Sequence, residues 1–114
     1  MHELSIAESI LDSVRRQAAL HGGRRVSRIG VVVGETSGVN ADALGFCFEI
    51  VVRGTEFEGV ALDLEAVSVR FRCEACQHEF TPADFDPRCP ACAAERGRLV
   101  AGEELALSYL ELQD

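Results

Sequence analysis

The chain of 114 residues has no tryptophan and a single tyrosine, and six phenylalanines supply the rest of its aromatic content. Its core must therefore rest on Leu, Val, Ile and Phe. Lysine is absent too: all eleven basic residues are Arg, set against nineteen Asp and Glu for a net charge of −8. Such a chain gains nothing from counterion release at a phosphate backbone, which argues against general affinity for nucleic acid. The acidity reads as a solubility device, or as attraction for a cationic partner or metal ion. No stretch approaches the ~20 apolar residues of a membrane helix. The opening Met1-His2-Glu3-Leu4-Ser5 lacks the basic stretch and apolar run of a secretory signal. A cytoplasmic protein without a membrane segment is expected, and in that compartment paired cysteines are more often metal ligands than disulfides.

With 47% apolar and 26% charged residues, the composition is globular and not disordered. The length suits one ordinary domain, and a smaller second unit would need a staple such as a metal site.

Residues 5–21 read as an amphipathic helix, with Leu4, Ala7, Leu11, Val14 and Ala18 on one face. Ser5 and Glu8 have capping-box spacing, and His21-Gly22-Gly23 supplies the stop. A strand is predicted at 26–33 from the alternation of Ile29, Val31 and Val33. A turn follows from Gly34 to Asn40, and Asn40 is placed to cap a second helix at 41–53. That helix is apolar on most sides, with Leu44, Phe48 and Val51 flanked by Phe46 and Ile50, which predicts deep burial.

A long strand is predicted at 60–72, where the apolar alternation flips phase after Ala66. The flip marks either a bulge or a strand that leaves one core for another. Near the C-terminus, Leu105, Leu107 and Tyr109 alternate, and Leu110 and Leu112 shift phase again. The two breaks flank the same segment. The expected fold class is α+β: a small α/β domain of two helices against a mixed sheet, formed by 1–69 plus 99–114, with a zinc-ribbon-like unit inserted at 70–98.

That segment carries Cys73-Glu74-Ala75-Cys76 and Cys89-Pro90-Ala91-Cys92, two C-x2-C knuckles twelve residues apart. Two thiolates two residues apart can converge on one ion, and a hairpin brings the second pair over to complete a tetrahedron. Surface or redox thiols are the bland alternative, and iron on the same four sulfurs is the rival to Zn(II). Four thiolates leave zinc no open position, so the site would be structural. Residues 70–98 hold five Arg and five acids, unlike a basic nucleic-acid-binding ribbon. Cys47, between Phe46 and Phe48, reads as a buried, inert thiol. His78 reads as an exposed polar residue on the hairpin, with an auxiliary-ligand role as the minor alternative.

The extreme N-terminus offers a second kind of metal chemistry. Histidine is too large to permit removal of the initiator methionine, so Met1 should keep a free amine. That amine, the amide nitrogens of His2 and Glu3, and the His2 imidazole present four nitrogens, a planar set suited to Ni(II) or Cu(II) and not to Zn(II). The Glu3 carboxylate adds an oxygen. An ordinary terminal histidine is the competing reading.

Met1-His2-Glu3-Leu4-Ser5, Gly34-Glu35-Thr36-Ser37-Gly38-Val39, the helix end Phe48-Glu49-Ile50-Val51-Val52-Arg53-Gly54-Thr55 and the cysteine knuckles stand in the order found in the HypA/HybF family, which the whole chain resembles. The resemblance implies a metallochaperone, not an enzyme, that delivers nickel to the large subunit of [NiFe]-hydrogenase. It maps nickel binding onto His2 with Glu3 as companion, and structural zinc onto Cys73, Cys76, Cys89 and Cys92. It also implies a nickel-binding GTPase accessory protein as partner and, for some members, the urease maturation proteins. Some members have a histidine beside each cysteine pair, whereas here only His78 is near. A zinc-ribbon interaction or nucleic-acid module without nickel delivery is the alternative, and it would call for a basic, aromatic face.

Overall fold

The computed structural model describes residues 3–82, 84 and 86–113. Two helices and a three-stranded sheet form the first layer pair. Helix α1 (Glu3–Leu20) leads to β1 (Val26–Gly34), α2 (Ala41–Val51) and β2 (Ala61–Val67), and the sheet is completed by the last strand, β6 (Leu105–Leu112). The order is β2-β1-β6, with β1 parallel to β2 and antiparallel to β6. It is the mixed sheet that the sequence predicts. Both helices cover one face. Ala7, Ile10, Leu11 and Val14 of α1 meet Val26, Ile29, Val31 and Val33 of β1, with Leu44, Phe48 and Phe57 closing the core.

Local chemistry explains most of the boundaries. Gly22 and Gly23 take positive φ, and the Gly23 N–H donates to the Ala18 carbonyl, closing α1 where predicted. The Asn40 side chain accepts from the Ala43 N–H at 2.9 Å and caps α2. The start of α1 differs from expectation. Glu3 is already helical, so Ser5 lies inside the helix and the Ser5–Glu8 capping box does not form. The apolar stripe is rotated as well, since Ile10 is buried whereas Leu4 is exposed.

Helix α2 is a second correction. It ends at Val51 and it is only half covered: Leu44 and Phe48 are buried, but Phe46 and Ile50 face outward. A two-layer architecture covers one side of a helix, whatever the residues on the other side.

The two phase breaks have different causes. After Val67 the chain leaves the first sheet. It re-enters as β3 (Arg70–Cys73) in a second, antiparallel sheet of order β4-β3-β5, with β4 at Glu79–Phe80 and β5 at Gly97–Ala101. The break in β6 is a bulge. Gly30 pairs with Tyr109 and Val31 with Leu107, leaving Ser108 as the extra residue. The bulge sets the Tyr109 ring over Gly30, where a Cβ would lie 2.1 Å from the ring, and the phenol donates to Asp63 at 2.6 Å.

Where the chain passes between sheets, the turn after β1 clamps both strands. The Glu35 carboxylate accepts from the Val69 N–H at 2.8 Å, and its own N–H donates to Val67. The Thr36 N–H and hydroxyl both donate to the Gly102 carbonyl. Gly34 and Gly102 approach so closely that a Cβ on Gly34 would meet the Gly102 carbonyl oxygen at 2.3 Å. Only glycine fits there.

Candidate metal centre

The second sheet exists to hold its cysteines. Phe71 of β3 and Phe80 of β4 meet edge to face, with ring centroids 5.9 Å apart. Gly97 lets β5 close over them, since a Cβ there would press on Pro87 and both rings. Beyond these rings the buried residues are Cys73 and Cys89 themselves. So little apolar surface cannot fix a fold of this size without a staple.

The two knuckles are built alike. The Cys73 N–H donates to the His78 carbonyl and the Gln77 N–H to the Cys73 carbonyl, at 2.9 and 2.7 Å. The second repeats this through Cys89 N–H to Ala94 and Ala93 N–H to Cys89, at 2.9 and 2.8 Å. Gln77 and Ala93, each following the second cysteine of its pair, take φ of 68° and 63°. That left-handed step is unfavourable for residues with a Cβ, and it turns the chain so that both sulfurs face inward.

The sulfurs of Cys73, Cys76, Cys89 and Cys92 all lie within 4.8 Å of one another. Cys73 to Cys92 and Cys76 to Cys89 are each 3.6 Å. A tetrahedron with Zn–S near ~2.3 Å has edges of about 3.8 Å, close to these two separations, so the four sulfurs suit zinc. The Ala91 N–H also donates to the Cys89 sulfur at 3.3 Å, the kind of support that a thiolate ligand receives.

Electrostatics point the same way. The Cys73 thiol is lowered to about 7 by the Cys76 N–H, helped by that of Ala75 and by the neighbouring Cys92 and Cys76, against its burial. Cys76 moves oppositely, to about 12: the His78 N–H favours its anion, but desolvation and the sulfurs of Cys89, Cys92 and Cys73 outweigh it. Cys92 is also raised, its favourable Ala94 N–H overcome by Cys73 and by desolvation. Four sulfurs this close cannot all be anionic on their own. A divalent ion bound here would reverse the balance, with Cys73, Cys76, Cys89 and Cys92 holding it as thiolates.

Among the described residues this is the one cluster of potential metal ligands, and His78 is outside it. His78 is exposed and its ring stacks on Phe80, with centroids 6.2 Å apart. Cys47 is half buried against the main core. Of the N-terminal set, Met1 and His2 lie outside the described residues. Glu3 sits in the first turn of α1, and its carboxylate accepts from the Asn40 N–H at 3.3 Å, which lowers its pKa. That tie to the start of α2 is absent from the sequence reading, because no local pattern links residues 3 and 40. Glu35 is another such residue: its place in a motif was visible, but its clamp on Val69 was not.

Comparison with known proteins covers nearly the whole chain. Residues 1–112 match the family described as hydrogenase/urease nickel incorporation, metallochaperone, hypA. A hydrogenase maturation factor HypA from Geobacter metallireducens is 42% identical over 99% of this chain and all of its own. One from Chlorobaculum tepidum is also 42% identical, with the same coverage. Among solved structures, a HypA protein in solution superposes with a TM-score of 0.74 at 25% identity, covering 99% of this chain and 97% of its own. The Ni metallochaperone HypA from Helicobacter pylori gives 0.63 at 26% identity, with 98% and 97% covered. With its mixed sheet, its four-sulfur cage and a match running from end to end, the chain belongs to the HypA family of nickel-incorporation metallochaperones that serve hydrogenase maturation.

Proposed function

We propose that the chain carries Ni(II) on Met1, His2 and Glu3 and passes it to the large subunit of [NiFe]-hydrogenase, while Cys73, Cys76, Cys89 and Cys92 hold a structural Zn(II). The observation that carries the zinc half is the cage of four sulfurs with no open position. For the nickel half, the support is the family match, which begins at residue 1. Glu3 contributes a carboxylate anchored beside the start of α2, and its backbone N–H belongs to a first helical turn, where such groups lack intrahelical acceptors.

The protein acts as a relay and not as an enzyme. Nickel held on a few terminal groups can be taken over one ligand at a time by a partner, whereas the closed sulfur cage shapes a surface and keeps its ion. A nickel-binding GTPase accessory protein is the expected helper, urease maturation proteins are a further destination, and the setting is cytoplasmic. Two units divide the work: 1–69 with 99–114 for nickel, and 70–98 for zinc. No helix among the described residues is long and apolar enough to cross a membrane.

Titrating Ni(II) into untagged protein and its His2→Ala variant tests the reading. Wild type should take up one nickel near neutral pH, and the variant should lose at least tenfold in affinity, about 1.4 kcal/mol. Residues added before Met1 should weaken uptake by removing the free amine. Affinity should also fall as pH drops, because amine and imidazole bind only when deprotonated. Equal affinity in wild type and His2→Ala would remove His2 from the site.

A further inference from the structure

Helix α2 is more apolar than its own fold requires. Phe46 is 63% exposed and Ile50, one turn on, is 41% exposed. Beside them runs β2, an outer strand of its sheet, and no strand among the described residues pairs with its far edge. Phe46 and β2 line a single groove of about 500 Å³, to which Leu62 and Leu64 contribute apolar surface and Asp42 and Glu49 carboxylates. Among the described residues, none that line it is basic.

An open backbone edge beside an exposed aromatic accepts an added strand. Ladder hydrogen bonds supply affinity, and alternate side chains supply specificity. Charge then selects which strand. Along β2, Asp63 and Glu65 alternate with Leu62 and Leu64, so the groove side is apolar and the opposite side acidic. One oxygen of Asp63 accepts from Tyr109, which holds that carboxylate in place on the sheet. A second copy of this chain would bring the same acids to the same edge. Like charges opposite each other are destabilising, and charged edge strands are a means by which sheets avoid pairing with themselves.

The geometry points to a docking site for an extended segment of another protein in which apolar residues alternate with Lys or Arg. The apolar side chains pack against Phe46, Leu62 and Leu64, and the cationic ones face Asp63 and Glu65. Seven residues of β2 set the length, roughly 23 Å at ~3.3 Å per residue. None of the residues invoked, Phe46, Leu62, Asp63, Leu64 and Glu65, is a proposed nickel or zinc ligand, and the site goes beyond the assignment of either metal.

The test uses full-length, zinc-loaded protein without nickel and a fluorescent nine-residue peptide alternating Lys and Val, read by anisotropy. Its controls are a Glu/Val twin and a block peptide of the same Lys/Val composition. The alternating cationic peptide should bind, with amide shifts confined to β2 and α2, and both controls should bind at least tenfold more weakly. Phe46→Ala should weaken binding about thirtyfold, as loss of an aromatic anchor does. Glu65→Lys should shift preference toward the Glu/Val twin. Nickel uptake by both variants should match wild type, which separates this site from the delivery reading. Equal binding of the block peptide would overturn the proposal by showing charge alone at work. So would unchanged binding by Phe46→Ala, or a sedimenting dimer that this variant dissolves.

Discussion

The two sheets of this molecule are held by different forces. Among the described residues, the core formed by the β2-β1-β6 sheet and its helices holds eleven buried apolar side chains, from Ala7 to Phe57. The β4-β3-β5 sheet buries Cys73, Phe80 and Cys89. Their charges differ as well: residues 70–98 carry five Arg and five acids, and the rest of the chain six Arg and fourteen acids. The first unit is a conventional apolar core inside an acidic shell. The second is a hairpin with balanced Arg and acids whose most buried side chains are two of the four clustered cysteines, so a metal bound there would couple its binding to folding. Its many surface ion pairs, such as Arg88–Glu95 at 3.4 Å and Arg98–Glu74 at 3.5 Å, contribute little at such exposure.

The sharpest way to break this contrast is Cys73→Ala. Structural zinc contributes on the order of 10–16 kcal/mol to small zinc-binding peptides, so the variant should drop from one zinc per chain to none. Amides of β3 and β5 should then exchange freely while those of β1 stay protected. Loss of protection in β1 as well would show that the metal supports both units. Leu44→Ala is the reverse experiment. A fully buried leucine removed from the apolar core should lower its stability by about 2–5 kcal/mol in denaturant, with zinc content unchanged.

Glu35→Ala addresses the clamp between the two. It leaves the Val69 N–H without its acceptor, at a cost of about 1–3 kcal/mol. Faster exchange should be confined to the Val69 amide and its neighbours, with both sheets intact. The smallest effect is a gain. Ala93→Gly relieves a left-handed residue in the second knuckle and should stabilise the zinc unit by about 1 kcal/mol, read as slower zinc loss to a chelator.

Periodicity disclosed what local chemistry controls. Glycines after α1, Asn40 before α2, and the alternation in β1 act through neighbours in sequence, so the elements could be placed before their packing was known. The knuckles were legible for the same reason, because a C-x2-C turn closes on itself. The expectation of a buried α2 failed because apolar content states what a helix can bury and not how many layers the fold will lay against it. Phe46 and Ile50 face outward because nothing folds over the far side.

By itself, the sequence determined the two helices, the phase breaks, the clustering of the four cysteines and the family. Only the tertiary structure decided that the first break is a change of sheet and the second a bulge at Ser108, that Glu35 and Gly102 hold the crossing, and that Glu3 is tied to Asn40. These last depend on contacts between residues 34 or more positions apart, where loop closure and packing against the sheet select the partner and no local pattern announces it.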